Sequence, residues 1–269
     1  MTIEQIIVLA VVQGVTEFLP ISSSGHLILV PNLLHWPDQG QFVDVMVHVG
    51  TLFAILIYFW RDVWRITIGG LELFKGKVTD DGKLAIYIVL ATIPAVAFGL
   101  FLKKFGYGSL ERSVIVVAWT TVAYGLLMLV ADMVGPQEKT IGNMTLKNAM
   151  IIGVAQALAL IPGTSRSGVT MTAARFLGFT RPDAARFSFL LGIPAIAGAG
   201  VLTVGEALAA GDTITMDAVY CAGLTFLAGL AAIAFLMALV RRISFLPFVL
   251  YRMVLGGFLL MTIYGPYAL

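Results

Sequence analysis

Gln13-Gly14-Val15-Thr16-Glu17-Phe18-Leu19-Pro20-Ile21-Ser22-Ser23-Ser24-Gly25-His26 decides the reading of this chain: a carboxylate, a proline and three consecutive serines interrupt an apolar stretch with no Lys or Arg nearby. A second interruption, Ile161-Pro162-Gly163-Thr164-Ser165-Arg166-Ser167-Gly168-Val169-Thr170, sets Arg166 between apolar segments. An ionisable side chain at membrane depth costs about 2.5–3.5 kcal/mol even on the mildest insertion scale, so such residues are rare and mark function. The regions holding these motifs, 2–36 and 146–180, are apolar at both ends and broken in the middle. Each half is too short to cross a bilayer, which takes about 20 residues. They read as re-entrant helix–loop–helix hairpins, whose irregular backbone is tolerated at depth only inside protein or along a cavity.

The rest of the chain fits that setting. It is 59% hydrophobic and 12% charged, with a mean hydropathy of +0.95, whereas a soluble domain carries about 25% charged residues. Six further stretches, near 42–60, 84–105, 113–134, 186–208, 216–240 and 245–264, are long and apolar enough to cross. The chain therefore reads as a single all-α integral membrane domain. Its one cysteine, Cys221, excludes an intrachain disulfide. Residues 1–30 lack a basic n-region and a small-residue cleavage motif, so they are not read as a signal peptide. A net charge of +2 gives no reason to expect a nucleic-acid partner.

The two broken regions also resemble each other. A shift of 143 residues lays Gln13 on Gln156, Ser22 on Ser165, Ser24 on Ser167 and Gly25 on Gly168. Weak internal repeats of this kind mark pseudo-symmetric membrane folds. Each unit, 1–134 and 146–269, then contains one hairpin and three crossings. Three is odd, so the second unit starts from the opposite side, the repeats are inverted, and the two tips can meet. Charge placement sets the orientation: no Lys or Arg precedes Arg61, whereas 61–83 carries Arg61, Arg65, Lys75, Lys77 and Lys83. The positive-inside rule makes that loop cytoplasmic and both termini external. Lys139, Lys147, Arg175, Arg181, Arg186, Arg241 and Arg242 agree, while Lys103, Lys104 and Arg112 fall on the outer side.

The second tip has the composition of an oxyanion site. Gly163 and Gly168 allow close backbone approach, Thr164, Ser165, Ser167 and Thr170 bring hydroxyls, and Arg166 brings a planar fork of donors suited to phosphate. On the first tip, Gln13 and Glu17 are four residues apart and share a helix face. Glu17 can serve as a base or, with Gln13, bind a divalent cation, which prefers oxygen ligands. Ser22, Ser23, Ser24 and His26 follow the break at Pro20, and His26 is placed to serve as nucleophile, general acid or hydrogen-bond donor. Asp44, His48 and Thr51 on the first full crossing read as supporting polar groups.

Gln-x3-Glu followed by Pro-Ile-Ser-Ser-Ser-Gly-His, together with Pro-Gly-Thr-Ser-Arg-Ser-Gly-Val-Thr, resembles the bacterial undecaprenyl-diphosphatase (bacitracin-resistance) family, over essentially the whole chain. The resemblance implies a multi-pass phosphatase of the bacterial inner membrane. Such an enzyme converts undecaprenyl diphosphate to the monophosphate, working largely on the outer face with a divalent cation, Mg²⁺ or Ca²⁺. It lays Glu17, Ser23 and His26 on the family's reactive groups and Arg166, with Ser165, Ser167 and Thr170, on its diphosphate-binding loop. Gln13 occupies a position that is Glu in many members, which leaves Glu17 as the main anionic ligand or base. A homodimer is compatible with the family, although no interface is legible in the sequence. The alternative from another class is a secondary transporter or flippase of an anionic lipid phosphate, since inverted repeats and broken helices are transporter traits. The acid-phosphatase-like lipid phosphatases share Ser24-Gly25-His26 but need a His where Thr172 stands.

Overall fold

The computed structural model describes residues 1–37, 39–106, 113–209 and 215–265, and every regular element among them is a helix or a short 3₁₀ turn. Most of 106–112 and 209–215, the segments between the expected crossings, fall outside the described residues, as do Arg112 and the last four residues. Eleven α-helices are described: α1 (Ile3–Thr16), α2 (Ser23–Leu34), α3 (Gly40–Tyr58), α4 (Trp60–Leu73), α5 (Asp80–Phe105), α6 (Val114–Val134), α7 (Leu146–Ala157), α8 (Arg166–Phe176), α9 (Arg181–Ala209), α10 (Met216–Leu239) and α11 (Leu246–Tyr264).

Five of these, α5, α6, α9, α10 and α11, are long and apolar enough to cross a membrane, and α3 makes a sixth together with its bent partner α4. Only 17% of the apolar window of α5 is buried inside the protein. Val89, Ile93, Val96 and Leu100 instead face outward, which is the behaviour of a helix solvated by lipid. The chain is therefore a multi-pass membrane protein. Capping follows the sequence closely. Thr2 and Thr79 accept hydrogen bonds from the Gln5 and Gly82 amides at the starts of α1 and α5, and Asp80 and Asp81 sit in the first turn of α5.

Residues 61–83, read from the sequence as a loop, contain a finding the sequence reading lacks. Most of α4 lies there, turned 84° from α3 after Phe59. Trp60, Trp64 and Leu71 are exposed on it beside Arg61 and Arg65, the pattern of a helix lying along the membrane surface. Its charges are partly paired: Arg65 with Asp81 at 3.2 Å, and Asp62 with Arg186. Arg175 and Arg181 converge on Asp132 at 3.3 and 2.7 Å. Lys103, which departs from the charge rule, pairs with Glu206.

The two broken regions become two pairs of short helices, α1–α2 and α7–α8. At 1.5 Å per residue, 14-residue α1 is about 21 Å long, against roughly 30 Å of hydrocarbon. The chain leaves helix between Glu17 and Ser22 and again between Ile161 and Ser165, after a 3₁₀ turn at Leu158–Leu160. Phe18 and Phe189 pack edge to face at 5.4 Å beneath the meeting point, in the main apolar core.

Candidate active site

The two interruptions are built alike. Ser22 and Ser165 both take the left-handed region, with φ of 76° and 73°, which is strained for a side chain other than Gly or Asn. Each is the N-cap of the next helix: Ser22 Oγ accepts from the Gly25 amide at 3.3 Å, and Ser165 Oγ from the Gly168 amide at 3.1 Å. Each also lies 3.3 Å from the hydroxyl two residues on, Ser24 or Ser167. The residue after the strained serine is Ser23 on one tip and Arg166 on the other, and both line the same cavity of about 270 Å³.

Glu17 joins the tips. Its Oε1 accepts from Arg166 Nη2 at 3.0 Å, and its Oε2 accepts from Ser23 Oγ at 2.6 Å and Gln13 Nε2 at 3.1 Å. The side chains of Glu17 and Arg166 are only 5% and 14% exposed. Solvent therefore screens this ion pair little, and loss of either partner strands a buried charge. Arg166 also donates to the Ser188 carbonyl at 3.0 Å, while its Nε–H has no partner among the described residues. Gly192 makes this position available: a Cβ there would lie 2.2 Å from Arg166 Nη1.

His48 completes the surroundings of the carboxylate. Its Nδ1 is 2.6 Å from the Asp44 carbonyl, which obliges that nitrogen to donate. Its Nε2 faces Glu17 Oε2 at 3.5 Å. Gln13 Oε1 is buried beside Glu17 without a partner among the described residues. A divalent cation at this point would find oxygen ligands in Glu17 and Gln13. No group of three or more His, Cys, Asp or Glu side chains converges among the described residues, so a cation here would be held largely by phosphate oxygens.

The remaining expected site residues have other partners. Ser167 Oγ donates toward the Glu17 and Leu19 carbonyls at 3.1 and 3.3 Å, tying one tip to the other. Thr170 Oγ1 bonds back to the Arg166 carbonyl at 2.8 Å and to Ser188 Oγ at 2.6 Å. Gly163 sits at φ +83° against Thr120, whose hydroxyl donates to the Pro162 carbonyl at 2.6 Å. Thr164 is buried with its hydroxyl unpartnered among the described residues. Ser24 and Ser165 line the cavity. His26 does not line it. Its Nδ1 is 2.6 Å from the Ser22 carbonyl and so carries the proton, and its Nε2 lies 2.6 Å from the Tyr251 hydroxyl, a ring stacked on its own.

Arg252 is the important residue absent from the sequence reading. It is fully buried on α11 and donates to the carbonyls of Pro20 (3.2 Å), Thr164 (3.2 Å), Gly163 (3.0 Å), Thr120 (3.3 Å) and Thr121 (3.0 Å). One guanidinium thereby satisfies carbonyls left over by both helix breaks. The signal that singles out Glu17 and Arg166, an isolated charge in an apolar stretch, is equally present in 245–264.

The model of the family described as bacitracin resistance protein BacA matches residues 6–258. The chain belongs to the BacA family. BacA relatives that carry the name undecaprenyl-diphosphatase include one from Jannaschia sp. (strain CCS1), 49% identical over 98% of this chain and all of its own length. Another, from Erythrobacter litoralis, is 48% identical over 97% of this chain and 99% of its own. A third, from Alteromonas mediterranea, is 47% identical over 98% and 100%. The BacA match spans both tips, so the geometry above belongs to the family's shared region and not to an addition.

Proposed function

We propose that the chain is an integral membrane phosphatase that hydrolyses undecaprenyl diphosphate to undecaprenyl phosphate and inorganic phosphate. That activity recycles the lipid carrier for cell-wall synthesis and confers bacitracin resistance. The observation that carries the reading is the Ser23 hydroxyl on Glu17 Oε2 at 2.6 Å, with Arg166 on the other oxygen of the same carboxylate and both lining one cavity. A transporter needs a binding site; it does not need a hydroxyl held on a buried base.

Ser23 Oγ attacks the terminal phosphorus while its proton passes to Glu17 Oε2. The bridging P–O bond breaks, and the lipid monophosphate leaves with the bonding pair. Water then cleaves the phosphoserine, with Glu17 shuttling the proton, to release inorganic phosphate and restore Ser23. Arg166 offsets charge on the equatorial oxygens, where phosphoryl transfer gains most of its rate. Glu17 and Gln13 would hold a divalent cation, Mg²⁺ or Ca²⁺, whose charge would offset that of the diphosphate oxygens. His26 acts as a positioning residue through the Ser22 carbonyl, so it sets where Ser23 stands.

The likeness of the tips at Ser22 and Ser165 supports an inverted-topology repeat. The basic residues of 61–83, with Arg65 paired to Asp81 and Arg186 paired to Asp62 of the same surface helix, support an inner-membrane protein with both termini and the site on the outer side. Phosphate release from a long-chain polyprenyl diphosphate, measured in detergent with and without chelator, tests the function. Cation-dependent release is expected. A well-folded protein that releases none overturns the reading and brings the lipid-phosphate transporter forward.

A further inference from the structure

We infer that Gln156, on the last turn of α7, is a substrate-binding residue whose side-chain amide donates to the diphosphate. The inference rests on the phosphatase reading and deepens it. Gln156 is 2% exposed, and neither Nε2 nor Oε1 has a hydrogen-bond partner among the described residues. It lines the cavity together with Glu17, Ser23, His48 and Arg166.

Its counterpart in the other tip explains why the amide is free. Gln13 spends its Nε2–H on Glu17, four residues on, at 3.1 Å. The same shift of 143 residues that lays Gln13 on Gln156 lays Glu17 on Leu160, which also lines the cavity. The second tip therefore keeps the amide and lacks the carboxylate that would occupy it. Buried polar side chains in native proteins are hydrogen-bonded with few exceptions, and the exceptions call for a ligand, ion or water. A primary amide brings two N–H donors for phosphoryl oxygens. Its carbonyl oxygen accepts from water or from the shell of a cation held by the same phosphate. Arg166, ten residues on, supplies the charge; Gln156 adds neutral donors from the preceding helix.

The test compares Gln156→Leu and Gln156→Glu with wild type in two assays. One is the KM and kcat for a polyprenyl diphosphate; the other is stabilisation against heating by methylenediphosphonate, which needs no turnover. Gln156→Leu should raise KM by about tenfold, the scale of one lost hydrogen bond to a charged ligand, with kcat changed by less than about threefold. Heat stability without ligand should be equal or higher, because an unpartnered buried amide is gone. Gln156→Glu should raise KM further, since a carboxylate repels the phosphate. In both variants diphosphonate should stabilise less than in wild type. Wild-type KM and wild-type stabilisation in either folded variant would overturn the inference and leave the amide to water alone. A wild type that hydrolyses nothing but is stabilised by diphosphonate, with that stabilisation lost in Gln156→Leu, would sink the phosphatase reading and keep the amide's role. A wild type that diphosphonate does not stabilise would sink the role as well.

Discussion

The tip at Gln13–His26 and the tip at Gln156–Val169 share a backbone device and differ in the chemistry they hang on it. Each has a glutamine on the incoming helix, a serine in the left-handed region capping the outgoing one, and a glycine whose amide that serine accepts. At the position after the strained serine, one tip has Ser23 and the other Arg166; where one has Glu17, the other has Leu160. Ser23 and Arg166, each the successor of the strained serine, both line the cavity, so two differences in a repeated frame give one tip a hydroxyl on a carboxylate and the other a guanidinium. Electrostatics then binds the halves, because a carboxylate and a guanidinium that would each be costly alone neutralise one another.

The comparison breaks first at the charged pair. Glu17→Gln and Arg166→Met should each lower kcat/KM for a polyprenyl diphosphate by more than about 100-fold, roughly 2.7 kcal/mol of barrier. If the tips form one site, the double variant loses much less than the product of the two. Multiplying losses would mean two independent sites. Arg252→Met tests the clamp beneath both tips. Removing five hydrogen bonds orphans the Pro20, Gly163 and Thr164 carbonyls and should cost about 2 kcal/mol of stability, read as a lower midpoint of thermal unfolding. An unchanged midpoint would show that other donors take those carbonyls.

Gly192→Ala sharpens the account of Arg166 without touching it. The added methyl meets Nη1 at 2.2 Å, so the guanidinium shifts off Glu17 and activity should fall about tenfold, less than for Arg166→Met. Wild-type activity would show that Arg166 does not need its observed place. The smallest effect is expected at the strained serines. Ser22→Gly and Ser165→Gly relieve the positive φ while losing a cap, two terms of opposite sign, each within about 1 kcal/mol. Both should leave stability nearly unchanged, and by similar amounts. A large loss at one serine alone would show that the tips are not equivalent.

Glu17 and Arg166 are legible in the sequence because a charge in an apolar stretch needs no structure to be conspicuous. Ser23 is set apart from its two neighbours only by the family resemblance; its distance to Glu17 depends on the positive φ at Ser22, a conformation that Gly or Asn would announce and a serine does not. Gly192 carries its meaning through Arg166 from another helix, so pattern along the chain is silent about it; the repeat marks Gln156, but its unpartnered amide is visible only in three dimensions. Arg252 was as visible as Arg166, but it lacks a surrounding Ser/Thr motif. The helix α4 is hidden by its own charges, which resemble those of a loop until Trp60, Trp64 and Leu71 are seen beside them.

The account stands most directly on the Glu17–Ser23 contact. Rapid acid quench of the purified protein with substrate labelled on its terminal phosphate would trap the protein-bound phosphate if it forms. An acid-stable phosphate on Ser23, lost in Ser23→Ala and not formed in Glu17→Gln, is the expected result. An acid-labile phosphoramidate on His26, still formed in Ser23→Ala, would contradict it.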